Sequence, residues 1–171
     1  MRRSMLVRLP RSSEAAVIKR LPVLLCLLES TSRRFLMRPS WDKIWMRFAK
    51  SVSERSYDPR FKVGSVVVTS DNTQVLAMGY NGNYAGGPNE AESAEPGKSG
   101  MLHSEINALI KLDYNNPKKK KLYVTLSPCR MCAKAIINAG ISEVIYGEQY
   151  RDSSGIELLE SVGILVRRTH I

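Results

Sequence analysis

Cysteine is scarce in this chain: three in 171 residues, and two of those, Cys129 and Cys132, stand close together. So small a set cannot build the disulfide framework of a secreted mini-domain. It fits a reducing compartment in which thiols are kept for a metal. Long apolar runs are lacking as well. The run Val23–Leu28 falls far short of the ~20 residues that a membrane span needs. No small-residue cleavage site follows it, so neither a secretory signal nor a membrane partner is expected. Acidic residues are rare in 1–36, where eight Lys/Arg face only Glu14 and Glu29. Most of the net charge of +10 therefore sits in that segment, and the rest of the chain carries +4. An organised basic face is missing, and with it the expectation of a stable nucleic-acid partner. A modest positive balance still suits a small anionic substrate.

What remains is ordinary for one compact domain. Hydrophobic residues make up 43% and charged residues 25%, and at this length a core forms without disulfides. Residues 1–36 read as a leader or extension, and 37–171 as the folded domain. The Arg/Ser-rich, acid-poor leader is either an organelle transit peptide or an annotation extension ahead of a true start at Met37, and the second reading is preferred. Location follows: cytoplasmic, or mitochondrial or another organelle if the leader is a transit peptide. Cys26 lies in the leader and reads as incidental.

From Arg38 the punctuation is regular. Ile44, Phe48 and Val52 behind Ser40 predict a helix over 41–55. Val63 and Val66–Val68 predict a buried strand, turned at Asp71-Asn72 into a second strand over 74–80. A Gly/Pro/Ser/Glu-rich loop over 81–100 is long enough to need a function, and a binding lid suits it. Helix 103–112 follows, striped by Ile106, Leu109 and Ile110. Then come strand 121–126, helix 129–139, strand 142–147, helix 153–161 and strand 164–168. The run Lys118–Lys121 reads as a solvated loop. A hairpin followed by alternating helices and strands predicts an α/β fold with a mixed sheet of about five strands, covered by helices on both faces.

Two short motifs carry chemistry. His103-Ser104-Glu105 opens one predicted helix, and Pro128-Cys129-Arg130-Met131-Cys132 opens another. One imidazole and two thiolates are three zinc ligands, which leaves a fourth position for water. A helix N-terminus favours the thiolate forms. Zinc lowers the pKa of its water to about 7, and the resulting hydroxide can attack C4 of a pyrimidine. Glu105 is then the proton shuttle and not a ligand. His-x-Glu with Pro-Cys-x-x-Cys is the pattern of zinc nucleobase deaminases. A thioredoxin-like redox pair is the bland alternative for Cys129 and Cys132. The proline before the first cysteine and the matching His-x-Glu oppose it.

Further segments give a specific resemblance. Arg38-Pro39-Ser40-Trp41-Asp42, Asp58–Gly64, Gly79-Tyr80-Asn81-Gly82, Cys132-Ala133-Lys134, Ile136–Ile141 and Tyr150-Arg151-Asp152-Ser153 resemble the deoxycytidylate deaminase family, in order, over 38–168. The resemblance implies a three-layer α/β/α cytidine-deaminase fold on a five-stranded sheet, assembled as a homo-oligomer. It implies hydrolysis of dCMP to dUMP, which feeds thymidylate synthesis. His103, Cys129 and Cys132 resemble the zinc ligands and Glu105 the shuttle. Asn81 resembles a contact to the sugar 3′-hydroxyl, and Ser127 and Tyr150 are further substrate candidates. Arg151, Lys98 and Arg130 are basic candidates for the phosphate, unranked. Asp58–Gly64 resembles a region tied to activation by dCTP and inhibition by dTTP, so Arg60 and Lys62 are effector candidates. Some members hold a second zinc through Cys or His in the loop before the catalytic helix; 82–102 has neither, so one zinc per chain is expected. Rival readings are a tRNA adenosine deaminase, another cytosine nucleoside or nucleotide deaminase, and, in a different class, an inactive zinc-stabilised binding module.

Overall fold

Ser40 starts the first helix, α1 (Trp41–Ser53), by accepting a hydrogen bond from Lys43 N–H at 3.3 Å. This is a computed structural model that describes residues 38–95 and 98–170. The expectations for the leader and Cys26 lie outside the described residues. After α1 come β1 (Gly64–Thr69), β2 (Val75–Tyr80), α2 (Ser104–Leu109), β3 (Lys120–Leu126), α3 (Arg130–Asn138), β4 (Ile141–Glu148), α4 (Ser154–Ser161) and β5 (Leu165–Arg168). Every predicted element is present, within a few residues of its expected ends.

The strands form one five-stranded sheet in the order β2-β1-β3-β4-β5. β1 pairs antiparallel with β2 and β3, and β3-β4-β5 run parallel. Asn72 takes φ 62° in the β1–β2 turn, a left-handed position that asparagine tolerates. A β-strand alternates faces, so β1 and β3 serve two cores. Val66, Val68, Tyr123 and Ile145 pack against Met46, Ala49 and Val52 of α1. Val67, Leu122, Val124 and Val144 pack on the other side with Ala108, Leu109, Ala133, Ile136 and Leu159 of α2, α3 and α4. The three layers are one helix, the sheet and three helices.

Three side-chain expectations need correction. The buried stripe of α1 is centred on Met46, Ala49 and Val52, while Ile44 and Phe48 are half-buried at its margin. In α2 the buried residues are Ser104, Glu105, Ala108 and Leu109, and Ile110, expected inside, is 65% exposed. The cause is close packing: a Cβ on Gly79 would stand 2.4 Å from both Ala108 N and Ser104 O, so α2 lies directly on β2 with that face inward. Lys118 and Lys119 are exposed as expected, but Lys120 and Lys121 belong to β3 and are buried. The Lys120 ammonium compensates by donating to Asn116 O at 2.8 Å and Lys118 O at 3.2 Å.

A polar staple ties α1 to the far half of the sheet. Tyr123 Oη donates to Asp42 Oδ1 at 2.7 Å, and Arg167 pairs with Asp42 at 2.9 Å and Glu143 at 2.6 Å. Among the described residues no helix is long and apolar enough to cross a membrane.

Candidate active site

Helix starts at this site are built from unusual residues. His103 is the N-cap of α2 and Cys129 the N-cap of α3, and neither side chain makes a capping hydrogen bond. Ser, Thr, Asp or Asn would stabilise those termini by ~1 kcal/mol each. Both caps therefore forgo helix stability and leave their donor atoms free for other work. They meet because α2 and α3 lie on the same face of the sheet and begin at the same end. His103 Nδ1 lies 3.5 Å from Cys129 Sγ and 3.3 Å from Cys132 Sγ. The ligand atoms of the three residues fall within 4.8 Å of one another.

The charge preferences of this trio fit a cation. Hydrogen bonds from Cys132 and then His103 hold the Cys129 thiol far below its usual value. The same bond to Cys129, together with burial, pushes the Cys132 thiol up. His103 is raised, chiefly by its bond to Cys129. The donors share protons because they crowd together, and a dication satisfies all three where protons cannot. His103 is exposed, Cys129 half-buried and Cys132 buried, so the group opens on one side only. Two thiolates and an imidazole with one open side are the donor set of a catalytic zinc site.

Glu105 stands in the first turn of α2, only 4% exposed, and burial pushes its carboxyl above the usual carboxylate range. It lines the same cleft as His103 and Cys129, a hollow of about 630 Å³ at the carboxyl ends of β3 and β4. Ligands of open α/β sheets bind at that edge. The 81–100 loop closes one wall with Ala91, Ser93 and Ser99. Its ends are clipped by paired backbone bonds between Gly82 and Leu102 at 2.9 and 3.0 Å.

The remaining predicted residues divide clearly. Asn81, Ser127, Tyr150, Arg60 and Arg151 line the cleft; Lys62, Lys98 and Arg130 are not part of its wall. Lys98 is instead paired with Glu95 at 2.6 Å. Asn81 is buried, and both of its amide protons are committed, to Asp58 Oδ2 at 3.1 Å and Phe61 O at 2.8 Å. Its Oδ1 accepts from Val63 N–H at 2.8 Å and keeps one lone pair in reserve. Ser127 Oγ accepts from Tyr150 N–H at 2.8 Å, fixing the segment in which the Arg151 guanidinium lies 5.6 Å from the Tyr150 ring centre. Sequence reasoning missed Asp58, whose Oδ1 caps Arg60 N–H at 2.8 Å and Phe61 N–H at 3.0 Å and so shapes the rim. Its signals were its place at the head of the Asp58–Gly64 segment and the proline that follows it.

Residues 39–148 match the cytidine and deoxycytidylate deaminase zinc-binding region. The chain is 32% identical over 172 residues to a deoxycytidylate deaminase of Saccharomyces cerevisiae, an alignment spanning 92% of this chain and about half, 54%, of the yeast protein. It is 36% identical over 125 residues to the deoxycytidylate deaminase of Homo sapiens, covering 66% of this chain and 68% of the human one. In three dimensions it resembles a dCMP deaminase of the cyanophage S-TIM5 solved with dCMP and dUMP. The TM-score is 0.69 and the identity 34%, over 78% of this chain and 99% of that one.

Proposed function

The chain belongs to the cytidine and deoxycytidylate deaminase family, and on that premise we propose that it hydrolyses dCMP to dUMP and ammonia. The observation that carries the reading is the His103, Cys129 and Cys132 donor trio beside a buried carboxylate, at the base of a cleft with two arginines in its wall. His103, Cys129 and Cys132 would hold the zinc, which when bound makes a water acidic enough to react near neutral pH.

The chain's own residues do the rest. Glu105 takes a proton from the attacking water and delivers it to N3 of the pyrimidine while oxygen bonds to C4. It then passes the second proton to the amino group, the C4–N bond breaks, and ammonia leaves. A carboxyl raised by burial suits a group that must hold a proton and release it within one turnover. Asn81 offers its free lone pair to the sugar 3′-hydroxyl, while its amide protons keep the Asp58–Val63 rim in place. Arg60 and Arg151 serve the 5′-phosphate, and Ser127 holds Tyr150 against the substrate. Lys62, outside the cleft wall and exposed, is the contact left for a dCTP or dTTP effector. The chain assembles as a homo-oligomer in the cytoplasm. A thiol-dependent site that needs a reducing medium supports the location.

Absorbance-monitored turnover of dCMP, deoxycytidine, CMP and a tRNA anticodon stem-loop tests the assignment. dCMP should be converted far faster than the others. Inosine formation in the stem-loop without dCMP turnover would move the chain to the adenosine branch.

A further inference from the structure

Two serines behind the carboxylate have no part in the chemistry described so far. Ser65 lies near the start of β1, and Ser104 is the middle residue of His103-Ser104-Glu105. Both are wholly buried, and their hydroxyl oxygens are 2.7 Å apart. The Ser104 hydroxyl donates to Glu105 Oε2 at 3.0 Å. A hydroxyl has a single proton to give, so Ser104, having given its own to the carboxylate, accepts from Ser65. The relay therefore runs one way, from Ser65 through Ser104 to Oε2.

Packing does not account for this pair. A sheet–helix seam flanked by Val67 and Ala108 would accept two alanines, and burying hydroxyls there costs free energy unless each is hydrogen-bonded. The carboxylate has more to gain from them. The terminal torsion of a glutamate is broad and nearly two-fold, so an unanchored carboxylate exchanges its oxygens easily. Glu105 lines the cleft, and with Oε2 turned toward Ser104 the oxygen it presents to the cleft is Oε1.

We propose that Ser65 and Ser104 are positioning residues: by holding Oε2 from behind, the hydroxyl pair fixes the rotation of Glu105 and makes Oε1 the oxygen that carries the proton. The proposal rests on the reading of Glu105 as the proton shuttle. Ser104 does not touch the substrate. Its effect passes through the carboxylate and falls on the chemical step, leaving binding alone.

The test uses the full chain with zinc content measured for each variant: Ser104→Ala, Ser65→Ala, the double variant, and Glu105→Gln as the control. With zinc retained, Ser104→Ala should lower kcat on the order of tenfold, the usual scale for a lost outer partner, and leave KM little changed. The double variant should be no slower than Ser104→Ala, because Ser65 acts only through Ser104. It should also melt higher than Ser104→Ala, in which the Ser65 hydroxyl is left buried without a partner. From Ser104→Ala to the double variant, stability thus recovers while kcat does not. A double variant that recovers both together would show a packing role only and overturn the proposal, as would an unchanged kcat in Ser104→Ala. Turnover surviving in Glu105→Gln would instead remove the shuttle reading on which the proposal stands.

Discussion

Gly155→Ala puts the geometry of the metal site to a severe test, because local propensity and tertiary packing predict opposite signs. Gly155 lies in the first turn of α4, where alanine is favoured over glycine by about 1 kcal/mol. A Cβ added there would stand 2.1 Å from Pro128 O, 2.8 Å from Cys129 C and 2.9 Å from Cys129 O. Bringing the oxygen contact out to 3.0 Å requires a movement of about 0.9 Å, and the atoms in the way are backbone. Zinc–sulfur and zinc–nitrogen distances tolerate only ~0.2 Å. The displaced peptide belongs to Cys129 itself, so the strain falls on a ligand. Overpacking of this kind costs ~1–3 kcal/mol, which exceeds the propensity gain. Misplacement by ~1 Å at a reacting centre costs ~10²-fold in rate. The expected variant is folded, melts lower than the parent, releases zinc more readily to a chromogenic chelator and turns over dCMP on the order of 10²-fold more slowly. Parental zinc affinity and rate in Gly155→Ala would refute the claim that α4 sets the position of Cys129.

Two further perturbations have definite outcomes. Metal analysis should find one zinc per chain, held by the one donor trio among the described residues. A strong chelator should lower Tm and abolish turnover, with zinc restoring both; two tightly bound ions per chain would contradict the count. Acid titration should report the Asp42 staple. Partial burial pushes the Asp42 carboxyl up, but hydrogen bonds from Arg167 and Tyr123 outweigh it and hold the group below its ordinary value. A carboxylate depressed on folding stabilises fully above its unfolded pKa of about 3.9, and that contribution is lost as pH falls through the lower folded value. The Tm gap between the parent and Asp42→Asn should therefore narrow below about pH 4. A constant gap across that range would discount the staple.

Much of the site was legible because its chemistry is compact in sequence. His103 with Glu105, and Cys129 with Cys132, each sit within one helical turn, so residue type and spacing carried the assignment of roles. The order of strands and helices was readable for a related reason: apolar period and turn residues are local properties. Which face a helix buries is not local. The α2 stripe read from Ile106, Leu109 and Ile110 was misplaced because periodicity counts apolar residues, whereas close approach to Gly79 turned Ser104 and Glu105 inward. Lys120 and Lys121 were misread for the same reason, since a strand in the middle of a sheet buries whatever it carries.

The sequence alone determined the donor types, their order, the carboxylate two residues from His103 and the five-strand pattern, all of which depend on residues close together in the chain. The tertiary structure alone decided that Arg60 and Arg151 share the cleft with Glu105, that Asn81 commits its amide protons to the Asp58–Val63 rim, and that Ser65 reaches Ser104. Those relations join residues 20 or more positions apart. Only the pairing of β1 between β2 and β3, with α2 laid across it, brings such distant side chains within hydrogen-bonding reach.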